Sequence, residues 1–358
     1  MNRIKILIVG SLLRQDDNRE TGGIGGTTIS LIHLTNYLKE SENVTVSLLD
    51  ANGIRGAGIM SVFRLIGFFA RLFRLAREVN IITIHSNTSA LFILVPVGVV
   101  VARLTGKALL IRKFGGTDFT TYHRMKIIII KHSLKLCDIY LVQSRALLQK
   151  SLEIGIKQTH WFSTSRPMEK TLHKLEAVSS VCRKFIFLGR VTRTKGIEHI
   201  LNLESRLPSD VVIDVFGPFD GEMDESHFVN STKVRYCGIT HNPQETLRRY
   251  DAFLLPTFWE GEGYPGALLE AYGAGLPVIA TRFGALPEIV DEKTGILIVP
   301  NDGDSLLKAI LKLVEDDGYF NRLRAGVLAR RLEFSSDYWN NKFVEYCREA
   351  ISLQTNRK

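Results

Sequence analysis

Cysteine is scarce in this chain of 358 residues. Its four thiols, Cys137, Cys182, Cys237 and Cys347, lie far apart, with no Cys-x-x-Cys pair and no histidine at ligand spacing. A disulfide framework and a cysteine-based metal site are thereby excluded, and the expectation is buried free thiols in a reducing cytoplasm. Long apolar runs are missing too. The longest, Ala90–Ala102 (ALFILVPVGVVVA), has 13 residues, well under the roughly 20 that cross a bilayer, and reads as a buried helix. Ile4–Val9 is too short for the apolar core of a signal peptide and is followed by Gly10-Ser11, so it reads as a first strand and the protein as not secreted. No segment is low in complexity, and no fixed-period repeat is visible. No Asp-x-Asp follows a strand in the second half. Asp302-Gly303-Asp304 lies in a late loop and reads as a helix cap, so no metal is expected.

What is present points to two domains. At 45% hydrophobic, the chain is long enough for two cores of ordinary size. Charge is uneven: residues 1–180 hold 24 Lys/Arg against 12 Asp/Glu, leaving 22 against 25 for the remainder. The basic half suggests an anionic partner, whether nucleic acid, a phosphorylated ligand or an anionic membrane surface.

Short apolar runs recur with helix-length spacers: Ile4–Val9, Val44–Leu49, Ile81–His85, Ala108–Ile111 and Ile139–Val142. This alternation predicts a parallel sheet covered on both faces. It then restarts with Phe185–Leu188, Val211–Phe216, Val234–Tyr236, Ala252–Leu255, Pro277–Ala280 and Gly295–Val299. Two doubly wound α/β domains follow, meeting near residues 165–184. Helices are expected at Ser305–Glu315, near Tyr319–Leu332 and at Tyr338–Ser352, the last with enough apolar positions to close back on the first domain.

In open α/β sheets ligands sit at the carboxyl ends of strands. The loops 191–196, 217–221, 238–242 and 257–266 all follow strands and should share one edge. In EGEGYPGALLEAYGAGLPVIAT, the amides of Gly263, Tyr264, Pro265 and Gly266 lead into a helix, with Pro265 pre-setting φ and the glycines allowing close approach by a bulky ligand. Glu262 is a poor neighbour for phosphate, but it and Glu270 can accept bonds from sugar hydroxyls. Cations for phosphate stand in FLGRVTRTKGIEHIL, where Arg190 and Lys195 suit a diphosphate clamp. Together these describe a nucleotide-diphosphate sugar.

Gly261-x-Gly263-x-x-Gly266 also matches the dinucleotide fingerprint. It falls late in its domain, and Glu262 stands where pyrophosphate belongs, so the sugar-donor reading is preferred. The stretch Ser61–Val79 sets Arg64, Arg71 and Arg74 on one helical face amid apolar residues, and KIIIIKHSLK (126–135) is similar. Each reads as a core-packed helix with a solvated basic stripe or as a contact with the cytoplasmic leaflet. His85 and His123 read as ordinary histidines, Trp161 as the end of the first domain and Arg166 as a hinge cap.

These residues resemble the family 4 retaining glycosyltransferases of GT-B fold, over nearly the whole length. The strongest part is Glu262-x7-Glu270 in EGEGYPGALLEAYGAGLPVIATRFGALPEIV, followed by GILIVP. The resemblance implies two Rossmann-like domains facing across a cleft: residues 1–170 for the acceptor, 181–335 for the nucleotide-sugar, and a terminal helix, 336–358. It implies that Glu270 holds the ribose hydroxyls, that Glu262 contacts the donor sugar, and that Arg190 and Lys195 bind the diphosphate, with Gly217 and Gly238 lining the donor loops. TGGIGGTT matches the family's glycine-rich loop, with Gly25 and Gly26 in register and Gly22-Gly23 as a second register. The chain departs from the pattern in one place. The family's acceptor-side histidine–glycine pair is Phe114 before Gly115 and Gly116, leaving Asp118, His85 or the leaving diphosphate itself to take the acceptor's proton.

The resemblance implies transfer of a sugar, with retention and without metal or other cofactor, from a UDP-sugar by preference to a glycan or polyprenyl-diphosphate-linked acceptor in surface polysaccharide assembly. The setting is cytoplasmic, peripheral on an anionic membrane, and nucleic acid is not expected. A transferase acting on small soluble acceptors and a catalytically silent GT-B binding subunit are the alternatives.

Overall fold

The computed structural model describes residues 3–12, 26–52, 59–169 and 180–357. In chain order the elements are β1 (Ile4–Gly10), α1 (Gly26–Glu40), β2 (Val44–Asp50), α2 (Ile59–Ala76), β3 (Ile81–Asn87), α3 (Thr88–Thr105), β4 (Ala108–Phe114), α4 (Arg124–Lys135), β5 (Ile139–Val142), α5 (Arg145–Glu153) and β6 (Thr159–Trp161). There follow β7 (Lys184–Leu188), α6 (Ile197–Leu201), β8 (Val212–Phe216), β9 (Val234–Tyr236), α7 (Pro243–Leu247), β10 (Ala252–Leu255), α8 (Gly266–Gly273), β11 (Val278–Thr281), α9 (Leu286–Ile289), β12 (Gly295–Ile298), α10 (Gly303–Glu315), α11 (Asp317–Arg330) and α12 (Ser336–Thr355). They form two compact units. The described part of the first is 3–12, 26–164 without 53–58, and 336–357, and that of the second is 165–169 with 180–335.

The first unit is a parallel sheet of order β2-β1-β3-β4-β5-β6. Every residue of β4 is buried, as expected of a parallel strand covered on both faces. On one face α2, α3, α4 and α5 contribute Phe68, Leu72, Leu91, Val95, Ile130 and Leu147 to a core with Leu7, Ile84 and Ile111. On the other, α1 and α12 supply Leu31, Leu34, Trp339, Phe343 and Cys347 against Ile6, Ile8 and Leu110. The terminal helix is thus part of the first unit's core. Trp339 stands edge-on to Trp161 and Phe162, with ring centroids 4.9 and 5.1 Å away.

The run Ala90–Ala102 lies inside α3, which extends over 18 residues and is long and apolar enough by composition to cross a bilayer. Its Leu91, Leu94, Val95, Val99 and Val101 are nevertheless core residues of the first unit. Asn87 caps its start, accepting from the Ala90 amide at 3.2 Å, and Gly106 ends it at φ +62°.

The second unit has the order β9-β8-β7-β10-β11-β12, again all parallel. Chain order reverses at the β7/β10 junction, the topological switch point where such sheets take ligands.

Two differences from the sequence reading concern boundaries. Trp161 belongs to a sixth strand, pairing with Val142 of β5, and its sequence Thr-His-Trp opens on two polar residues. Residues 165–169 belong to the second unit, because Arg166 bonds there: its amide donates to Phe334 O at 3.1 Å. A third concerns the thiols: Cys137, Cys182 and Cys347 are buried but Cys237 is exposed.

Because Trp339 is 3% exposed and fills the space over β6, Trp339→Ala should cost about 3–5 kcal/mol. Urea denaturation followed on the first unit's transition checks this.

Candidate functional site

At the switch point Ala252 and Phe253 of β10 pair with Phe185 and Ile186 of β7. Their carboxyl ends therefore send two loops, 189–196 and 256–265, to one place. The loops are bonded to each other: the Phe258 amide donates to Thr194 O at 2.9 Å and Thr257 Oγ1 to the same oxygen at 3.3 Å. Gly196 has φ +81°, and a Cβ there would lie 2.2 Å from Pro256 O, so only glycine permits this approach. Thr192 caps the short turn 193–195 by accepting from the Lys195 amide.

With its backbone fixed, Lys195 donates through Nζ to Glu262 Oε2 in a close ion pair. The pair is largely buried, the side chains being 12% and 5% exposed. Lys195 Nζ also stands 4.8 Å from the centre of the Trp259 ring, and the Arg190 guanidinium stands 5.3 Å from it. Both distances suit cation–π attraction. Arg190 is itself exposed. The structure thus gathers Arg190, Lys195 and Glu262, expected from sequence, around an indole that the sequence reading missed. Trp259 directly precedes EGEGYP, yet nothing local signals that two cations 64 and more residues earlier share its ring.

The glycines of this loop serve side chains of the protein itself. A Cβ on Gly261 would lie 2.4 Å from the Trp259 ring, and one on Gly266 would lie 1.7 Å from Arg166 Nη2. The dinucleotide-like spacing therefore reflects room for an indole and a guanidinium. Gly263 is buried, and Tyr264 points inward, donating from its hydroxyl to Glu288 Oε2 at 2.9 Å. Pro265 occupies the cap position with ψ 126°, just outside the first helical turn.

Glu270, on α8, is paired with Arg166, which donates from Nε to Oε1 at 2.6 Å. Arg166 is therefore more than the hinge cap that sequence suggests, and a partner 104 positions away cannot be read from spacing. Gly217 and Gly238 join strand-end loops: the Gly217 amide donates to Gly238 O at 2.9 Å, and a Cβ on Gly217, at φ +140°, would lie 1.8 Å from Gly189 O. Asp302, read as a cap, accepts from the Asp304 and Ser305 amides at 3.0 and 3.1 Å.

Residues 182–316 match a family model described as glycosyl transferases group 1. The O-antigen chain mannosyltransferase B of Escherichia coli is 28% identical over 169 residues, covering 44% of this chain and 42% of that protein. The lipopolysaccharide core biosynthesis mannosyltransferase LpsB of Rhizobium meliloti is 29% identical over 190 residues, covering 48% and 54%. The chain spans about half the length of these curated relatives. In architecture, the crystal structure of Anabaena HepE in complex with UDP superposes with a TM-score of 0.76 at 15% identity, covering 96% of this chain and 99% of that one. The chain therefore has the GT-B fold, and its residues 182–316 are similar to group 1 glycosyl transferases.

The residues that the sequence reading set on the acceptor side lie in the first unit, where the described ones are committed to the fold. Gly22, Gly23 and Gly25 lie outside the described residues, while Gly26 opens α1, with no atom of the described residues within 4 Å of where its Cβ would stand. Phe114, in the place of the family histidine, is 3% exposed and lies under the Arg112 guanidinium at 4.5 Å. Gly115 is anchored at both ends, donating to Gln143 Oε1 at 2.6 Å and accepting from Lys113 Nζ at 2.8 Å. Gly116 follows it, half-buried. Burial pushes the Lys113 ammonium down to about 8, opposed by the charge of Asp118.

Of the side chains suggested as substitutes for the missing histidine, Asp118 is bonded and His85 is buried. Asp118 accepts from the Thr120 amide at 2.9 Å and pairs with Lys150. Burial works against its ionisation, but these bonds from Lys150 and Thr120 outweigh it and hold its carboxyl below the usual range. His85 is 2% exposed, between Phe114 and Phe343, with Nε2 3.2 Å from Thr83 Oγ1 and Nδ1 without a partner among the described residues. Burial, then the Arg112 charge, hold its pKa well below the ordinary 6.5.

The sign of the His85 effect is fixed by that depression. Below about pH 6.5 the unfolded chain binds a proton that the fold refuses, so the first unit should lose about 1.4 kcal/mol per pH unit from this group as pH falls. His85→Leu should flatten that limb in denaturation curves compared near pH 7 and near pH 5.

Proposed function

We propose that this protein is a retaining glycosyltransferase that moves a sugar from a nucleotide-diphosphate donor, UDP-sugar by preference, to a glycan or lipid-linked acceptor in surface polysaccharide assembly. The observation that carries the reading is the Lys195–Glu262 pair beside Arg190 on Trp259, at the sheet's switch point. Cations for a diphosphate and a carboxylate for sugar hydroxyls stand there side by side. The O-antigen and lipopolysaccharide roles in the relatives' names, and the UDP with which HepE was crystallised, support the substrate class.

In this mechanism the C1–O bond to the diphosphate breaks through an oxocarbenium-like state, while the acceptor oxygen bonds C1 from the same face. The acceptor's proton passes to a leaving phosphate oxygen, which suits a first unit whose His85 is buried and whose Asp118 is paired with Lys150. Lys195 and Arg190 stabilise the charge growing on the leaving group, a role for which loss of one donor costs on the order of 100-fold or more in rate. Donor phosphates compete with Glu262 for Lys195, and the carboxylate so released is turned toward the sugar. Asp302 and Asp304 take no part: Asp302 caps the start of α10 and Asp304 pairs with Arg206. Turnover in chelator is expected to be unchanged.

A thermal-shift panel of UDP-, GDP-, ADP- and dTDP-sugars tests the donor. A true donor stabilises the fold by about 2.7 kcal/mol at a hundred times its dissociation constant, and Lys195→Ala should abolish the shift and lower transfer about 100-fold or more. No shift with any nucleotide sugar refutes the reading.

The membrane side of the proposal rests on α2 and α4. Val62, Phe63 and Ile66 of α2 are each more than half exposed, as are Met125 and Ile128 of α4. Exposed Arg64, Arg71, Arg74, Arg124 and Lys126 accompany them. Exposed apolar side chains amid exposed cations on each helix fit an anionic bilayer surface. The protein should float with phosphatidylglycerol vesicles at low salt and less so at high salt, and Phe63→Glu should prevent it. Absence of co-migration at low salt counts against the membrane assignment alone.

A further inference from the structure

A cation at the start of a helix is misplaced by ordinary electrostatics. The N-terminal turn carries the positive end of the helix dipole and favours anions. Yet Arg166 is 3% exposed and lays its guanidinium against the first residue of α8, in the volume a Cβ on Gly266 would fill. Its backbone is pinned by a bridge to Ser335 and by the bond to Phe334 O. Its Nη1 donates to Ser165 O at 3.0 Å. The side chain is therefore held rigidly from behind, and it directs Nε at Glu270 Oε1.

This geometry divides the Glu270 carboxylate. Oε1 is held at 2.6 Å by a charge-assisted bond, and Oε2 has no partner among the described residues, in a side chain 14% exposed. An oxygen so presented is an acceptor without a donor. Arg166 is too deeply buried to touch a ligand itself, so whatever it contributes passes through Glu270.

We propose that Arg166 is a positioning residue for the donor's ribose. By fixing Oε1 it keeps the Glu270 carboxylate in one orientation, with Oε2 turned to the vicinal hydroxyls, and Gly266 is glycine so that this guanidinium can reach its place. This rests on the donor reading above. It adds that ribose recognition depends on a residue in the segment entering the second unit, outside the strand-end loops.

The test compares binding of UDP and GDP with that of their 2′-deoxy and 3′-deoxy counterparts, by calorimetry, in the wild type, Arg166→Gln, Arg166→Lys and Gly266→Ala. The wild type should prefer the ribonucleotide about tenfold or more, as expected for a bond to a charged acceptor. Arg166→Gln should weaken ribonucleotide binding about tenfold and leave the deoxy forms nearly unchanged, so the preference collapses. Arg166→Lys should restore part of it. Gly266→Ala, which displaces the guanidinium without removing it, should reproduce the collapse and carries the test if Arg166→Gln does not fold. A folded Arg166→Gln or Gly266→Ala that keeps the wild-type preference overturns the proposal. A wild type that binds neither nucleotide overturns the donor reading instead, and the ribose role with it.

Discussion

The candidate site depends on one constraint, the adjacency of β7 and β10 at the point where the second sheet reverses its chain order. Parallel pairing there brings the loop of Lys195 against the loop of Glu262, 67 residues later. The bonds from Thr257 and Phe258 to Thr194 O, and the missing side chain at Gly196, then fix the two loops at one spacing. Without that junction Lys195 and Glu262 are two surface charges. With it they form a mostly buried pair beside an indole.

Two carboxylates of the second unit are paired internally. Glu262 has Lys195, and Glu270 has Arg166. Burial makes these pairs costly to break from one side only, so a ligand that offers its own anion to Lys195 and its own hydroxyls to Glu262 exchanges partners there without stranding a charge, while the Arg166–Glu270 bond stays in place. Space is filled in the same way. Gly261 and Gly266 leave gaps that Trp259 and Arg166 occupy, so these glycines hold a rigid site in shape as well as leaving the backbone open.

The first unit shows the opposite arrangement, a strand end closed by its own side chains. Arg112 lies between Phe114 and Phe162, Lys113 bonds the Gly115 carbonyl, and His85 is neutral under Phe343. Where the family pattern has a histidine, this chain has built an aromatic–guanidinium stack.

Eleven of the strands and the return of α12 were legible in the sequence, because buried parallel strands are short apolar runs and helices of this length repeat their apolar positions. That Arg190, Lys195 and Glu262 stand in loops at the carboxyl ends of such strands, with Glu270 on the helix that follows, was legible too. β6 was not, because Thr-His-Trp opens on two polar residues, and neither were the partnerships of Trp259 and Arg166. The sequence by itself determined which segments are strands, which ends they present and which residue types stand there. Only the tertiary structure decided which charge meets which, because ion pairing and side-chain stacking act over a few ångströms between positions 67 or 104 residues apart, and no local pattern encodes that distance.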